Sequence, residues 1–188
     1  YYVLNDELND IDEIISFSKK RIKGYLDSDA NYFWNDLVTE NYWFQNKELK
    51  DWVKKNIQLF KVADAYLNSK SIISDFKVYE SFNTEDLQFG SRSWHKDADD
   101  SKTLKLFVYL TDVNSEKDGP LEIIPLDNEL KLLRIFPLNL KRFKDNSLIL
   151  KFLNLLNFMN KRKTFLGREG TCFLVDTARL YHRGSKCF

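Results

Sequence analysis

The chain has 188 residues, 43% of them hydrophobic and 30% charged, with a net charge of +1. That length and balance are those of one folded domain with a full core. The near-neutral charge supplies no field for nucleic acid or an anionic membrane, and no apolar run approaches the roughly 18 residues a membrane span needs.

Residues 6–26 read as a helix: Ile11, Ile14, Ile15, Phe17, Ser18 and Ile22 recur near helical spacing. Asp6, Glu7 and Asp10 come early and Lys19, Lys20 and Arg21 late, the order the helix macrodipole favours. Residues 29–45 carry Tyr32, Phe33, Trp34, Tyr42, Trp43 and Phe44. They either pack against the domain or form a recognition surface, and packing is expected because aromatics dominate cores. Residues 46–67 are the clearest helix, with Asn46 as cap and Leu49, Trp52, Val53, Ile57, Phe60 and Ala63 as an apolar stripe. A strand is expected over 72–82, then a polar loop containing Gly90.

Residues 104–113 alternate: Leu104, Leu106, Val108 and Leu110 share one face, and Lys105, Phe107, Tyr109 and Thr111 the other. A turn over 114–119 leads to a short strand at 121–125. The stretch 127–165 is rich in Leu, Lys and Asn. Asp145 caps a predicted helix over 147–160, with Leu148, Phe152, Leu155, Leu156 and Met159 on one face. The stretch is either a lid or a packed helical excursion, the second being expected. Lys161, Arg162 and Lys163 read as a solvated helix end rather than a nucleic-acid site. A turn at 167–170 opens the strand 171–176. Within it Cys172 reads as a buried, inert thiol rather than a ligand or nucleophile. Cys172 and Cys187 make no disulfide framework and suit a reducing cytoplasm, the compartment expected.

The chemistry centres on Ser93-Trp94-His95-Lys96-Asp97. Side chains two apart on an extended chain share a face, so His95 and Asp97 can grip one ion from one side. The sequence has two histidines in all, and the second, His182, follows the strand 171–176. Two His and a carboxylate form the facial triad of non-haem Fe(II) oxygenases, which leaves three metal positions open. The spacing alone balances this reading evenly against two ordinary histidines, since short motifs carry false positives.

Trp94-His95-Lys96-Asp97, the strand Leu104 onward and Gly119-Pro120-Leu121-Glu122-Ile123-Ile124-Pro125 together resemble the phytanoyl-CoA dioxygenase family. Gly170-Thr171-Cys172-Phe173-Leu174-Val175-Asp176-Thr177, followed by Tyr181-His182-Arg183-Gly184, resembles its second metal-ligand block. The resemblance covers residues 72–125 and 167–185. It implies a double-stranded β-helix, or jelly roll, cupin-like, in a single domain. The barrel strands would come from 71–126 and 165–188, beside a helical layer at 1–70 and a helical insert at 127–164. It also implies an enzyme: an Fe(II)- and 2-oxoglutarate-dependent dioxygenase that uses O2 to hydroxylate a small organic substrate. Iron would sit on His95, Asp97 and His182.

The resemblance also implies a base for the distal carboxylate of 2-oxoglutarate. In the family an Arg about ten residues after the second histidine serves, and that position falls beyond Phe188. Lys105, on a face the family turns inward, is one substitute, its alternative being a solvated strand lysine. Tyr79 and Ser185 are further contacts. Arg183, beside His182, would point to the opposite face and is a poor substitute. Leu126-Asp127-Asn128 departs from the Gly-Ser-His common there. Three other readings stand beside this one. His2Asp also suits zinc, manganese or nickel in a cupin-like enzyme. A non-catalytic small-molecule-binding barrel is weakened by the presence of all three ligands. A halogenase is disfavoured because it needs the Asp97 position vacated for halide.

Overall fold

The computed structural model describes residues 1–4, 7–22, 34–40, 46–81, 90–97, 100–125, 142–143, 148–155 and 159–185. Ten strands lie among them: β1 (Tyr2–Val3), β2 (Trp34–Glu40), β3 (Phe76–Ser81), β4 (Trp94–His95), β5 (Leu104–Val108), β6 (Leu121–Ile123), β7 (Arg142–Phe143), β8 (Lys163–Thr164), β9 (Cys172–Asp176) and β10 (His182–Gly184). Four helices accompany them: α1 (Ile11–Ile22), α2 (Lys47–Lys55), α3 (Ile57–Leu67) and α4 (Leu148–Leu155). The strands form a three-stranded sheet, β1-β9-β5, a five-stranded sheet, β7-β4-β10-β6-β8, and the pair β2-β3. All the pairings are antiparallel. The protein is thus mainly β with flanking helices. None of the described helices is long and apolar enough to cross a membrane.

Strand alternation explains the layering. Leu104, Leu106 and Val108 of β5 pack with Cys172 and Leu174 of β9 on one face, toward Ile14, Ile15, Leu49 and Trp52 of α1 and α2. Phe107 and Tyr109 take the other face. They pack with Phe173 and Val175 against Leu121 and Ile123 of β6 and Phe165. The three-stranded sheet is therefore covered on both sides, by helices and by the five-stranded sheet. Accordingly β9 is buried along its whole length, and its first four residues, Cys172 to Val175, read as an unbroken apolar run rather than an alternating one.

Several boundaries differ from the sequence expectation. The first helix begins at Ile11 rather than residue 6, because Asp10 takes a left-handed φ of 52° that no helix propagates through. The single helix expected over 46–67 is two. Asn56 is buried between them: its Oδ1 accepts from the Asn9 N–H at 2.8 Å, and its Nδ2 donates to the carbonyls of Asn9 at 3.1 Å and Trp52 at 3.0 Å. A side chain competing for the helix ladder breaks it there. The apolar stripe fails at the break, and Ile57 and Val62 of α3 are exposed.

The strand expected from 72 starts at Phe76, because Asp64 holds both the amide and the hydroxyl of Ser71 at 2.5 Å and turns the chain first. The ladder of β5 ends at Val108, although Val113 still bridges Gly167. β6 ends at Ile123.

The layer expected to be helical at 1–70 also supplies β1 and β2. The aromatic side chains of 29–45 lie outside the described residues. Much of the insert does as well, and with it the choice between lid and excursion. Its described parts include β7 and β8 as well as helix, and they join the five-stranded sheet. Among the described side chains of α4 Leu150 is buried, on the face opposite the expected stripe, while Leu148 and Leu155 are exposed. Arg162 is no solvated end: it pairs with Glu116 at 3.2 Å and Glu122 at 3.4 Å.

Replacing Asn56 by Ala leaves the Asn9 amide and the carbonyls of Asn9 and Trp52 without this partner, the last of them buried. The expected loss of stability is about 1–3 kcal/mol, read by urea unfolding, against almost none for exposed Lys54→Ala. Equal midpoints for the two variants would remove Asn56 as the clamp between α1 and α2.

Candidate metal centre

The centre is built by strand pairing. β10 runs antiparallel to β4 with His182 directly opposite His95, so the two imidazoles share a face. Their ring centroids are 4.2 Å apart. The same register sets His182 opposite Ile123, which places both rings on the face turned toward the three-stranded sheet. Past β4 the chain crosses to that sheet. The Asp97 N–H donates to the Thr177 carbonyl at 2.9 Å, and the Thr177 N–H to the Thr103 carbonyl at 2.9 Å. The carboxylate is held where the two sheets meet.

The Asp97 oxygens lie 3.9 Å from His95 Nε2 and 3.9 Å from His182 Nε2. One ligand atom from each of the three residues falls within 4.8 Å of the other two. The sequence-expected triad is therefore brought together. The backbone decides which nitrogens face inward. His95 Nδ1 is 2.8 Å from the Ser93 carbonyl, and His182 Nδ1 is 3.2 Å from the Leu180 carbonyl. A carbonyl only accepts, so each Nδ1 carries the proton and each Nε2 presents a lone pair. Metal-binding histidines are oriented in this way.

Two lone pairs and a carboxylate thus converge with no donor among them. The nearest cation is Lys105, whose Nζ is 2.7 Å from Asp97 Oδ2. That ammonium balances the charge of the buried Oδ2. Two imidazole lone pairs and a carboxylate aimed at one another are a donor set that fits a divalent cation.

The electrostatics point the same way. Burial lowers the His95 pKa, with Arg142 and Lys105 adding and the Ser93 carbonyl and Asp97 opposing. Burial, reinforced by His95, brings His182 down to about 4 against the pull of Asp97. Burial alone would raise Asp97, but Lys105, Thr177 and His182 outweigh it and hold the carboxyl below its usual range. At neutral pH the three groups are two neutral imidazoles and a carboxylate, the protonation state a metal requires.

The reverse face is packed. Trp94 is fully buried, stacks on Phe143 with centroids 6.3 Å apart, and lies under the Arg183 guanidinium at 4.6 Å. Arg183 points away from the triad, as its parity requires, and its Nε is 2.6 Å from the buried Glu122. Cys172 is buried, its Sγ donates to the Gly170 carbonyl at 2.9 Å, and burial pushes its pKa up to about 11, which makes it an unreactive thiol.

Two expected contacts are not brought to the triad. Tyr79 belongs to the β2-β3 pair and is half-exposed on the face of β3 opposite the buried Val78. Ser185 continues the β10 ladder through its N–H to the Pro120 carbonyl at 2.8 Å, so alternation turns its side chain to the Arg183 face. The structure adds Arg142. It lies in β7 directly opposite His95 and therefore on the triad's face. Nothing in a Lys- and Leu-rich stretch marked it. No protein-family model, curated protein or solved structure matches the chain.

A histidine that titrates at about 4 when folded and near 6.5 when unfolded leaves the unfolded chain binding more protons between those values. Stability then falls as pH drops from 6.5 toward 4, and the buried neutral ring is fully accommodated only above that window. The melting temperature of metal-free wild type is expected to fall more steeply across it than that of His182→Gln. Parallel curves for the two proteins would mean that His182 is not a buried neutral imidazole.

Proposed function

We propose that the protein is an Fe(II)- and 2-oxoglutarate-dependent dioxygenase that hydroxylates a small organic substrate on a jelly-roll scaffold. The convergence of one ligand atom each from His95, Asp97 and His182, all within 4.8 Å of one another, carries this reading. Two neutral nitrogens and one anionic oxygen on one side of an ion leave its other positions for co-substrates. The likeness of residues 72–125 and 167–185 to the phytanoyl-CoA dioxygenase pattern supports the same choice. Two facing antiparallel sheets fit a jelly roll.

Bound there, Fe(II) would supply the coupling of O2 reduction to decarboxylation of 2-oxoglutarate, which yields succinate, CO2 and a hydroxylated product. The chain does the rest. His95 and His182 offer lone pairs without first losing a proton. Asp97 offers the balancing negative charge. The Ser93 and Leu180 carbonyls fix the rings. Ile123 and Val175, both fully buried, keep water from the inner face. Lys105 holds the Asp97 carboxylate in charge contact and, once a metal takes that contact, has its ammonium beside the site for a ligand carboxylate. Being 41% exposed, it reorients at small cost.

The same donor set suits zinc in a hydrolase, so the metal itself decides. Protein purified without added metal and then loaded anaerobically with Fe(II) is expected to hold one iron per chain and to release succinate from 2-oxoglutarate. Asp97→Ala should lose on the order of 100-fold or more in metal affinity and all succinate release, since even groups supporting a ligand cost 10–100-fold. Normal turnover by Asp97→Ala, or a tightly held zinc with no succinate released, would overturn the assignment.

A further inference from the structure

We infer that the ligand of this centre is an organic anion whose acid group is held by Arg142, with its body lying on the open inner face of β10 at Gly184. This rests on the metal reading above and goes beyond it to the class of ligand.

The first observation is room. On β10 the inward positions are His182 and Gly184, the latter opposite Leu121. Among the described residues nothing lies within 4 Å of a Cβ built at Gly184. Its neighbours on that face, Ile123 and Leu121, are buried at 0% and 6% exposure. Protein interiors rarely leave such a position unfilled, and this one is a single strand repeat from a metal-binding histidine.

The second observation is charge and direction. Arg142 opposes His95 across the β4-β7 ladder, and its charge reaches that ring. Its Nη1 donates to the carbonyl of Gly90, in the 3-10 turn Gly90–Arg92 that leads into β4 and packs against β10. The register that pairs His182 with His95 carries Gly184 alongside Ser93, next to that turn. The guanidinium therefore leans toward the end of the face where the space is.

The third observation is an unanswered cation. Among the described residues Arg142 meets no carboxylate, and the Gly90 carbonyl takes one of its five donors. Asp97 is already engaged by Lys105. A planar guanidinium with free donors, exposed at the edge of the sheet, is suited to bidentate capture of a carboxylate or phosphate. β7 and β10 flank β4, so they lie about 10 Å apart. The acid group is then several atoms from the part of the ligand that lies over Gly184.

Carboxylate and phosphate could belong to the co-substrate or to the substrate, and two titration arms separate them. Mn2+-loaded wild type, Arg142→Gln, Arg142→Lys and Gly184→Leu are titrated calorimetrically with 2-oxoglutarate. Each is then titrated with hexanoate and with inorganic phosphate in saturating 2-oxoglutarate. Arg142→Gln is expected to lose about tenfold or more in affinity in one arm, with Mn2+ content and melting temperature unchanged. Arg142→Lys should keep part of the affinity, and Gly184→Leu should block the ligand. Loss in the first arm assigns the acid to the co-substrate, and loss in the second to the substrate. Wild-type affinities in both arms for Arg142→Gln would overturn the proposal, as would wild type that binds none of the three probes. Wild type that takes up no Mn2+ would refute the metal reading and this one with it. Normal Mn2+ uptake with unchanged anion affinity would refute this one alone.

Discussion

The site depends on the pairing of β4 with β10. Two residues far apart in sequence become nearest cross-strand neighbours because their strands run antiparallel with His95 opposite His182. A slip of one residue would turn one imidazole to the face now held by Trp94 and Arg183. The register is secured from both sides. β6 pairs with the far edge of β10, and β7 with the far edge of β4. On the reverse face the Glu122–Arg183 pair sits directly across the same ladder. Breaking a buried pair by removing one partner is strongly destabilising, so this contact opposes slippage more than it adds stability.

The carboxylate is placed by a second constraint. Asp97 lies beyond the regular strand, and its position comes from the bond to Thr177 at the end of β9. The three groups of the triad therefore span both sheets: the rings belong to the five-stranded sheet and the carboxylate is tied to the three-stranded one. Their spacing reports the separation of the sheets. The packing between them, Phe107 and Tyr109 against Leu121, Ile123 and Phe165, sets the bite of the site as much as the ligands do. Tyr109 adds a polar tie, donating to the Phe165 carbonyl at 2.8 Å and accepting from the Leu121 N–H at 3.0 Å.

Much of this was legible in the sequence where one periodicity dominated. The alternation of β5 divided Leu104, Leu106 and Val108 from Lys105, Phe107 and Tyr109, and the two sets do face different layers. Spacing and strand context brought out the three triad residues. The break at Asn56 was hidden because its partner, Asn9, is remote in sequence, and a locally continuous stripe says nothing about a long-range hydrogen bond. Ser185 was misplaced because nearness to His182 in sequence was taken for nearness in space, while strand parity turns it the other way. Arg142 was invisible because a two-residue edge strand carries no periodic signal. β2 was missed because a cluster of aromatics marks burial without marking conformation.

Both imidazoles are steered by backbone carbonyls two residues before each ring, just ahead of β4 and β10. No other side chain is needed to aim them. The aim of the two rings is thus inherited from backbone shape, whereas the surrounding wall is made of ordinary side chains. The two can vary independently. Residues lining the inner face can be exchanged over many generations while the two rings stay where the ladder puts them. A scaffold of this kind can change the lining of its inner face without having to rebuild the triad.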